Sequence, residues 1–321
     1  MAKNPKQPLE ACTVGFYNLE NLFDTRNDPT LLDDDFTPGG FKRWTPERYE
    51  NKLRKLGKAI GQMGRGRPLD LPVLLGMAEV ENESVLDDLL STDTLKGSGL
   101  EYVHFDSPDE RGIDTALCYH REHFEPEGQE VIPLLVYEPD GQRDFTRDIL
   151  HVHGWINGEH VHIFVNHWPS RRDGDSETAH KRMTAAQTVR DRIWEIRSEN
   201  PEANTIVMGD FNDDPHSESL KHLEESAALH NPMQQLFRPD RGSAKYRDTW
   251  MLFDQILLSH TFLNYQPGTH RFSHADIFDP EFLQEWNEPY KGKPFRTYVG
   301  RNYLGGYSDH FPVYVHLERE G

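Results

Sequence analysis

The dipeptide Asn157-Gly158 separates two runs rich in β-branched and aromatic residues, at 149–156 and 160–165. Asn-Gly suits a two-residue type I′ turn, because both central positions of that turn need a positive φ. The sequence therefore predicts an antiparallel hairpin at this place. Such a hairpin disfavours a doubly wound parallel sheet, in which helices join successive strands.

Similar short runs recur along the chain, and two helical patterns lie between some of them. We predict further strands at 13–17, 73–78, 115–119, 205–208, 255–258 and 311–316. A helix is predicted at 46–63, where Pro46 follows Thr45, and a second at 176–197. Apolar residues share one face of each helix, which is typical of core packing. This mixture of strands and helices favours two packed sheets with helices outside them.

Length and composition limit the organisation of the chain. With 321 residues, of which 36% are hydrophobic, it can form one large domain or two small ones. No repeat or linker divides it, so we expect one domain at 10–319 after a disordered extension at 1–9. No apolar run approaches the ~20 residues that a membrane span needs. The polar start, with Pro5 and Pro8, has no signal-like apolar middle, which indicates a cytoplasmic protein, or a secreted or periplasmic one if a signal was removed.

Charge and cysteine content exclude other classes. The formal net charge of -19 means that the surface as a whole repels polyanions. Contact with nucleic acid would therefore need a local basic strip or a bound cation. Cys12 and Cys118 each lie inside an apolar run, so we expect buried core thiols rather than a disulfide or a metal site.

Polar residues suited to metal chemistry follow several of the predicted strands. They are Asn18, Glu79, Asp210 with Asn212, and Asp309 with His310. Side chains at strand ends can converge on one rim of a sheet. Oxygen donors predominate, which favours Mg²⁺ or Mn²⁺ over zinc, with one or two ions. Taken singly, each motif has an ordinary alternative, because 210–215 makes a good turn, 79–82 a helix start and 308–309 a helix cap.

Six motifs together resemble one family. They are Asn-Leu-Glu-Asn at 18–21, Ala-Glu-Val-Glu-Asn at 78–82, Asn-His-Trp-Pro-Ser at 166–170, Gly-Asp-Phe-Asn at 209–212, Phe-Asp-Gln-Ile at 253–256 and Ser-Asp-His at 308–310. Their order resembles the endonuclease/exonuclease/phosphatase superfamily over about 14–315. The resemblance implies an α/β, deoxyribonuclease I-like fold: a four-layer sandwich of two packed, mostly antiparallel sheets flanked by helices. It places the site at one rim of this sandwich.

The resemblance also assigns a role to each matching residue. Glu79 corresponds to the principal metal-binding carboxylate, with Asn18 beside it and Asp309 on the opposite side of the site. Asp210 and Asn212 correspond to the pair that positions or activates the attacking water and contacts the phosphate. A divalent cation would neutralise the phosphoryl oxygens during phosphodiester hydrolysis.

Two histidines complete the family pattern. His310 corresponds to a histidine held by a carboxylate, here Asp254, which fixes one tautomer and stabilises the protonated ring. His167 resembles the second histidine of the deoxyribonuclease I and bacterial extracellular nuclease branch, with Asp114 as its acidic partner. Asn166 is a candidate neutral donor to phosphate. Which histidine is acid and which is base stays open.

The substrate is the least determined property. Arg111 and Arg171 lie close enough to the motifs in sequence to bind phosphate, whereas Lys181 and Arg182 are expected on a solvated helix face. The aromatic segment 264–307 should border the site, either stacking bases or packing on itself. We expect a phosphate-containing substrate, with a nuclease acting on DNA or RNA first. The alternative is a phosphatase or phosphodiesterase for small or lipid-derived phosphoesters.

A third hypothesis is an inactive phosphate-binding module. The intact motifs argue against it, because loss of catalysis would be expected to remove some of these residues. No protein partner is indicated by the sequence.

Overall fold

The computed structural model of the protein describes residues 10–138, 140–172, 174–246, 248–264 and 266–319. The extension expected at 1–9 lies outside these ranges. The first nine strands are β1 (Ala11–Leu22), β2 (Leu74–Val80), β3 (Leu100–His104), β4 (Asp114–His120), β5 (Phe124–Ile132), β6 (Val136–Tyr137), β7 (Arg143–Asp144), β8 (Ile149–Ile156) and β9 (Glu159–His167). The others are β10 (Asn204–Asp210), β11 (Leu229–His230), β12 (Ala244–Tyr246), β13 (Thr249–Met251), β14 (Asp254–Ser259), β15 (His270–Ile277), β16 (Tyr298–Val299), β17 (Asn302–Tyr303) and β18 (Val313–Arg319).

The helices lie between these strands. They are α1 (Pro46–Ile60), α2 (Glu83–Leu90), α3 (Asp175–Glu199) and α4 (Glu218–Ser226), with 3-10 turns at Asp34–Phe36, Pro232–Gln235, His260–Leu263 and Glu281–Leu283. Both predicted helices are present, although α1 ends three residues before the predicted boundary. No helix in the described part of the chain is both long and apolar enough to span a membrane.

Two six-stranded sheets form the framework. The first has the order β15-β18-β1-β2-β4-β3 and the second β11-β14-β10-β9-β8-β5. Each contains one parallel pair, β1 with β2 and β9 with β10, and is otherwise antiparallel. The predicted hairpin is confirmed as β8 and β9, with φ of 49° at Asn157 and 88° at Gly158. The predicted fold class, two mostly antiparallel sheets with helices outside, is also confirmed.

Burial follows the alternation of the strands. The facing sides of the two sheets and the apolar faces of α1 and α2 form one large buried cluster. A second cluster joins α3 and α4 to the outer face of the second sheet. These two clusters explain why the central strands β1, β2, β4 and β10 are buried along nearly their whole length, because both faces of these strands are covered. Cys12 and Cys118 are buried and unpaired, as predicted.

Gly76 in β2 packs against Met208 of the second sheet. A Cβ atom at this position would lie 2.5 Å from Sδ of Met208 and 3.0 Å from Cδ2 of Phe16. Gly76→Val should therefore destabilise the fold by about 1–3 kcal/mol, because the added methyls overpack the space between the sheets. Urea unfolding checks this, with Gly39→Val as the control, because Gly39 is exposed and a Cβ there would meet nothing within 4 Å. An unchanged urea midpoint in Gly76→Val would contradict the tight packing described here.

One expectation about α3 is wrong. Lys181 and Arg182 were expected on a solvated face, yet they are only 6% and 1% exposed. Lys181 donates to Glu138 and to Asp144, and Arg182 lies 2.8 Å from Asp213. Burial of these charges is possible because each one faces a carboxylate. Ion pairs thus join α3 to the segments that carry Glu138, Asp144 and Asp213.

Candidate active site

Three neighbouring strands of the second sheet bring His167, Asp210 and Asp254 together. His167 and Asp210 end the parallel strands β9 and β10 and are paired in register, whereas Asp254 begins the antiparallel strand β14 opposite Asp210. The carboxyl ends of parallel strands and the amino end of an antiparallel neighbour meet at one edge. The three side chains therefore lie side by side at the same rim, and all three residues are almost completely buried.

The first sheet contributes Asn18 and Glu79 by the same rule. Asn18 in β1 pairs with Ala78 in the parallel strand β2, and both strands are irregular just beyond that pair. Bulges of this kind bend a strand and redirect a side chain. Nδ2 of Asn18 donates to Glu79 at 3.4 Å and to Asp210 at 3.0 Å. One amide thus links the two sheets across the rim.

Backbone strain is concentrated at this rim. Four non-glycine residues here have positive φ, namely Glu20 at 51°, Asn21 at 52°, Glu79 at 62° and Asn212 at 48°. Such conformations cost energy for residues with a Cβ and are frequent at functional sites. Oε2 of Glu79 accepts a 2.7 Å hydrogen bond from the Asn21 amide, so the two strained segments hold one another.

The segment before β18 supplies the last residues of the rim. Oγ of Ser308 donates to the Asn18 carbonyl at 2.7 Å and accepts from the His310 amide at 3.1 Å. These contacts hold His310 with Nδ1 2.6 Å from Asp254 and Nε2 3.9 Å from Asp210. Asp309 lies on the other side, with Oδ1 4.0 Å from Nε2 of His310.

The two histidines are in opposite electrostatic environments. Burial alone would lower the pKa of His310, but the contact with Asp254 and the nearby Asp210 raise this pKa well above its ordinary value. Burial lowers the pKa of His167 far below its ordinary value, and the charges of Arg147 and Arg111 lower it further. At neutral pH His310 is therefore a cation and His167 a neutral ring.

Asp210 lies between the two rings. Its Oδ2 is 3.8 Å from Nε2 of His167 and 3.9 Å from Nε2 of His310. Burial raises the pKa of Asp210 to about 6, despite the opposing charge of His310. Its Oδ1 accepts a 2.9 Å hydrogen bond from the Asn212 amide. The carboxyl group is thus fixed in position and titrates close to neutral pH.

Several charged residues at the rim were missed by the sequence motifs. Nη2 of Arg296 donates to Asp309 at 2.6 Å, and its Nε lies 3.8 Å from Glu20. Glu20 accepts from the Thr297 amide at 2.6 Å and lies 3.8 Å from the buried amine of Lys52. Arg296 lies in the aromatic segment 264–307 that was expected to border the site, and Lys52 lies beside the apolar stripe of α1.

The predicted pairing of Asp114 with His167 is wrong. Asp114 accepts hydrogen bonds from the hydroxyl and the amide of Ser107, and its other oxygen lies 3.5 Å from His104. Nδ1 of His167 has no hydrogen-bond partner among the described residues. Asp114 begins β4 at the same edge as the site. The imidazole beside it is that of His104 from the neighbouring strand β3, not that of His167.

Three predicted amide roles change with the observed hydrogen bonds. Asn166 is fully buried and uses its amide to donate to the Met208 carbonyl and to accept from the Trp168 indole, so it cannot reach phosphate. Oδ1 of Asn18 accepts from the Glu20 amide, and only the amide nitrogen faces the carboxylates. Asn18 is therefore a donor here, not an oxygen ligand. Asn212 donates to the Trp168 carbonyl while lining the open cleft beside His310.

Two clefts open from the rim and share Asn212 and Asp309. One, of about 290 Å³, is bounded by His310, Arg296 and the aromatic segment at Tyr290. The other, of about 880 Å³, is bounded by basic residues, namely Arg111, Arg147, Arg171, Arg172 and Lys181. The predicted position of Arg111 and Arg171 at the site is consistent with this cleft.

Most of these cations already have carboxylate neighbours. Nη2 of Arg171 donates to Asp213 at 2.7 Å, and Nη1 of Arg147 donates to Asp109 at 3.1 Å. Arg111 donates instead to the neutral amide oxygen of Asn21. The larger cleft therefore has a mixed charge rather than a uniformly positive one.

The donor set fits a hard divalent cation. The carboxylates of Glu79 and Asp309 both interact electrostatically with Arg296 and Lys52, which balance part of their negative charge. Carboxylate oxygens without a thiolate are the ligands that Mg²⁺ and Mn²⁺ prefer. Asp210, Asp254 and His310 also lie within metal-binding distance of one another. The short contact between His310 and Asp254 occupies Nδ1, which favours an ion nearer to Glu79.

Comparisons with known proteins agree with this arrangement. A model of the Endonuclease/Exonuclease/phosphatase family matches residues 13–319. No curated protein sequence matches the chain significantly. Three solved structures are similar in fold. D. rerio TDP2 complexed with a single-strand DNA product has a TM-score of 0.57 and 15% identity, covering 96% of this chain and 99% of that one.

The other two structures come from different organisms. The human Nocturnin catalytic domain with a bound sulfate anion has a TM-score of 0.58 and 17% identity, covering 98% of this chain and 96% of that one. A mannosyl-6-phosphatase of Bacteroides thetaiotaomicron has a TM-score of 0.56 and 17% identity, covering 95% and 99%. The family match over nearly the whole described chain is decisive. This protein belongs to the Endonuclease/Exonuclease/phosphatase family and is a phosphoesterase.

Proposed function

We propose that the protein is an Mg²⁺- or Mn²⁺-dependent phosphodiester hydrolase that cleaves nucleic acid, and that residues 10–319 act as one domain. The observation that carries the proposal is the position of Asp210 within 4 Å of a neutral and a cationic imidazole, linked through Asn18 to Glu79. Phosphodiester hydrolysis needs an activated water, neutralisation of the negative charge on the phosphoryl oxygens and stabilisation of the leaving alkoxide.

Glu79 and Asp309 are the proposed metal ligands. A divalent cation held there would neutralise charge on the phosphoryl oxygens and orient the phosphate. Asp309 would bind the ion through Oδ1, because its Oδ2 accepts a hydrogen bond from Arg296. The side-chain amide of Asn18 would hold the carboxylates of Glu79 and Asp210 in position relative to each other. Sequence and structure leave one ion or two equally compatible with this donor set.

The protein groups divide the remaining work. Asp210, with its pKa raised to about 6, is the proposed acceptor of the water proton, because a base is most effective when its pKa lies near the working pH. His310, held cationic by Asp254, donates a hydrogen bond to the phosphoryl group or the leaving oxygen. His167, a neutral ring whose Nδ1 has no hydrogen-bond partner among the described residues, positions the phosphate from the opposite side.

Nucleic acid is the substrate that the larger cleft favours. It has a volume of about 880 Å³, and Arg111 and Arg172 line it beside Asn212. Arg172 is exposed and Arg111 is bonded only to an amide, so both can turn towards phosphate. The net charge of -19 and the paired state of Arg171 argue for short or single-stranded nucleic acid rather than tight duplex binding.

A small phosphoester is the second candidate. The cleft of about 290 Å³ beside His310 is near the lower size limit for small-molecule sites, and Tyr290 and Lys293 line its wall. The similarity in fold to a mannosyl-6-phosphatase is compatible with this candidate. A phosphomonoester would place its phosphate at the same rim and its organic group in this cleft.

A substrate panel separates the two candidates. Single-stranded oligonucleotide, plasmid DNA, RNA, bis-p-nitrophenyl phosphate and sugar phosphates are each incubated with the protein and Mg²⁺ or Mn²⁺. We expect metal-dependent cleavage of the oligonucleotide at a higher kcat/KM than for any small ester. Turnover of sugar phosphates with all nucleic acids intact would replace the first candidate by the second. No turnover of any ester would overturn the proposed function.

Glu79→Gln should weaken the response to metal. We expect the Mg²⁺ concentration for half-maximal activity to rise about 10-fold or more, because even residues that only support metal ligands contribute about 10–100-fold to metal affinity. Magnesium titration of initial rates measures this change. Glu83→Gln, at the exposed start of α2, is the matched control and should behave as wild type. An unchanged magnesium requirement in Glu79→Gln would remove this residue from the metal site.

A further inference from the structure

A group of imidazoles and carboxylates lies on the outer face of the second sheet, far from the rim. His151 and His153 point outwards from β8, and His160 and His162 from the adjacent strand β9. Together with Glu127 of β5 and residues of α3, they line a surface cleft of about 330 Å³. His160 and the rim residue His167 are seven residues apart on one strand, which corresponds to about 23 Å. The cleft is therefore separate from the candidate active site.

Three of these side chains have the geometry of metal ligands. One donor atom each from Glu127, His153 and His160 lies within 4.8 Å of the others. Oε2 of Glu127 is 3.1 Å from Nε2 of His160 and 3.6 Å from Nδ1 of His153. Tetrahedral zinc with bonds of about 2.1 Å needs donor atoms roughly 3.4 Å apart, so two of the three separations are already suitable.

The backbone of β5 is shaped to complete this group. The pairing of β5 with β8 is irregular between Pro126, opposite Gly154, and Gly128, opposite His153, so Glu127 is the extra residue of a bulge. A bulge redirects the side chain of the extra residue, here onto the face that carries the histidines. A Cβ at Gly128 would lie 2.3 Å from Nε2 of His153, so the glycine leaves room for this imidazole.

One ring nitrogen of His153 is not satisfied by the hydrogen bonds of the described residues. Its Nδ1 is buried and has no hydrogen-bond partner among the described residues, although Glu127 lies 3.6 Å away. Buried polar atoms are normally satisfied, and a bound ion is one explanation of an exception. Because the side chain of His160 is partly exposed, a cation could reach the site from solvent.

The neighbouring histidines form a supporting layer. Nε2 of His151 lies 3.1 Å from Nδ1 of His162, and Nδ1 of His151 lies 2.6 Å from Glu130, which Arg192 also contacts. These contacts orient both rings beside the cleft.

We propose that Glu127, His153 and His160 bind a late first-row transition-metal cation, Zn²⁺ above all, that fastens β5 to the β8–β9 hairpin. Two imidazoles and one carboxylate form a donor set that zinc accepts, with a water at the fourth position. The same set is poor for Mg²⁺, which prefers oxygen ligands. This second site would join three strands, and a distance of about 23 Å along β9 separates it from the chemistry at the rim.

Zinc binding by the full chain tests the proposal. Equilibrium dialysis with Zn²⁺ is performed in excess Mg²⁺ on the Glu79→Gln protein, so that the candidate active site contributes little zinc. We expect one equivalent of bound Zn²⁺, reduced at least 10-fold in affinity by adding His160→Gln or Glu127→Gln. His180→Gln, an exposed histidine of α3, is the matched control and should keep the full equivalent.

Cobalt gives a readout of the ligands themselves. Co²⁺ added to the same protein should show the strong visible absorption of a four-coordinate ion, and this absorption should disappear in His160→Gln and in His153→Gln. Two independent variants are used so that misfolding of one, detected by circular dichroism, leaves the other decisive. Full zinc affinity in both Glu127→Gln and His160→Gln, or displacement of the zinc by Mg²⁺, would overturn the proposal.

Discussion

Asp210→Asn is expected to lower kcat by about 10²–10⁴-fold, the range that removal of a positioned general base produces. The amide keeps the size of the carboxylate and can still accept from the Asn212 amide, but an amide nitrogen at the Oδ2 position cannot accept from Asn18, so circular dichroism must confirm that the fold is kept. The wild-type enzyme should lose activity as the pH falls through about 6, because burial raises the pKa of Asp210 to that value and protonation removes the base. The variant should lose this acidic limb.

A matched carboxylate distinguishes catalysis from general electrostatics. Burial also raises the pKa of Glu224, which lies on α4 and accepts a hydrogen bond from the Gln234 side chain. Glu224→Gln should therefore leave kcat and its pH profile unchanged. Initial rates across the pH range compare the two variants. A kcat for Asp210→Asn within a few-fold of wild type would exclude this residue as the base.

Much of the site could be predicted from sequence because its residues occupy the ends of recognisable strands. Once β9 and β10 are parallel neighbours and β14 runs antiparallel to them, His167, Asp210 and Asp254 must share one edge. The motif order therefore carried three-dimensional information. The same reasoning correctly placed the β8–β9 hairpin, whose turn depends on two adjacent residues.

Other features depend on contacts that no local pattern encodes. Asp114 begins β4 at the expected edge, but the histidine nearest to it comes from β3, a strand with too weak a pattern to be predicted. The cation of Lys52 lies beside the apolar stripe of a helix and is identified only when Glu20 is seen beside it. The positive φ of Glu79 follows from the irregular strands around it, because its residue type favours no such conformation.

The histidines on the outer face of the second sheet are another feature that the sequence predicts only in part. His151, His153, His160 and His162 alternate along two strands, a pattern that the hairpin prediction already contained. Their meeting with Glu127 depends on a bulge in a third strand, which the sequence does not mark. A pattern of alternate histidines across a predicted hairpin is therefore a usable signal, although the third ligand needs coordinates.

Asp254→Asn should reduce kcat about 10²–10⁴-fold, as should His310→Gln, and the double variant should be little slower than either one, because the two residues act as a unit. Asp254 raises the pKa of His310 well above its ordinary value, against the effect of burial, so the wild-type enzyme keeps its cation into the alkaline range. Without this charge the alkaline limb of the rate profile should move to lower pH. Rates of the three variants measured against pH test both claims. Multiplicative losses, or an alkaline limb unmoved in Asp254→Asn, would mean that His310 works without its carboxylate.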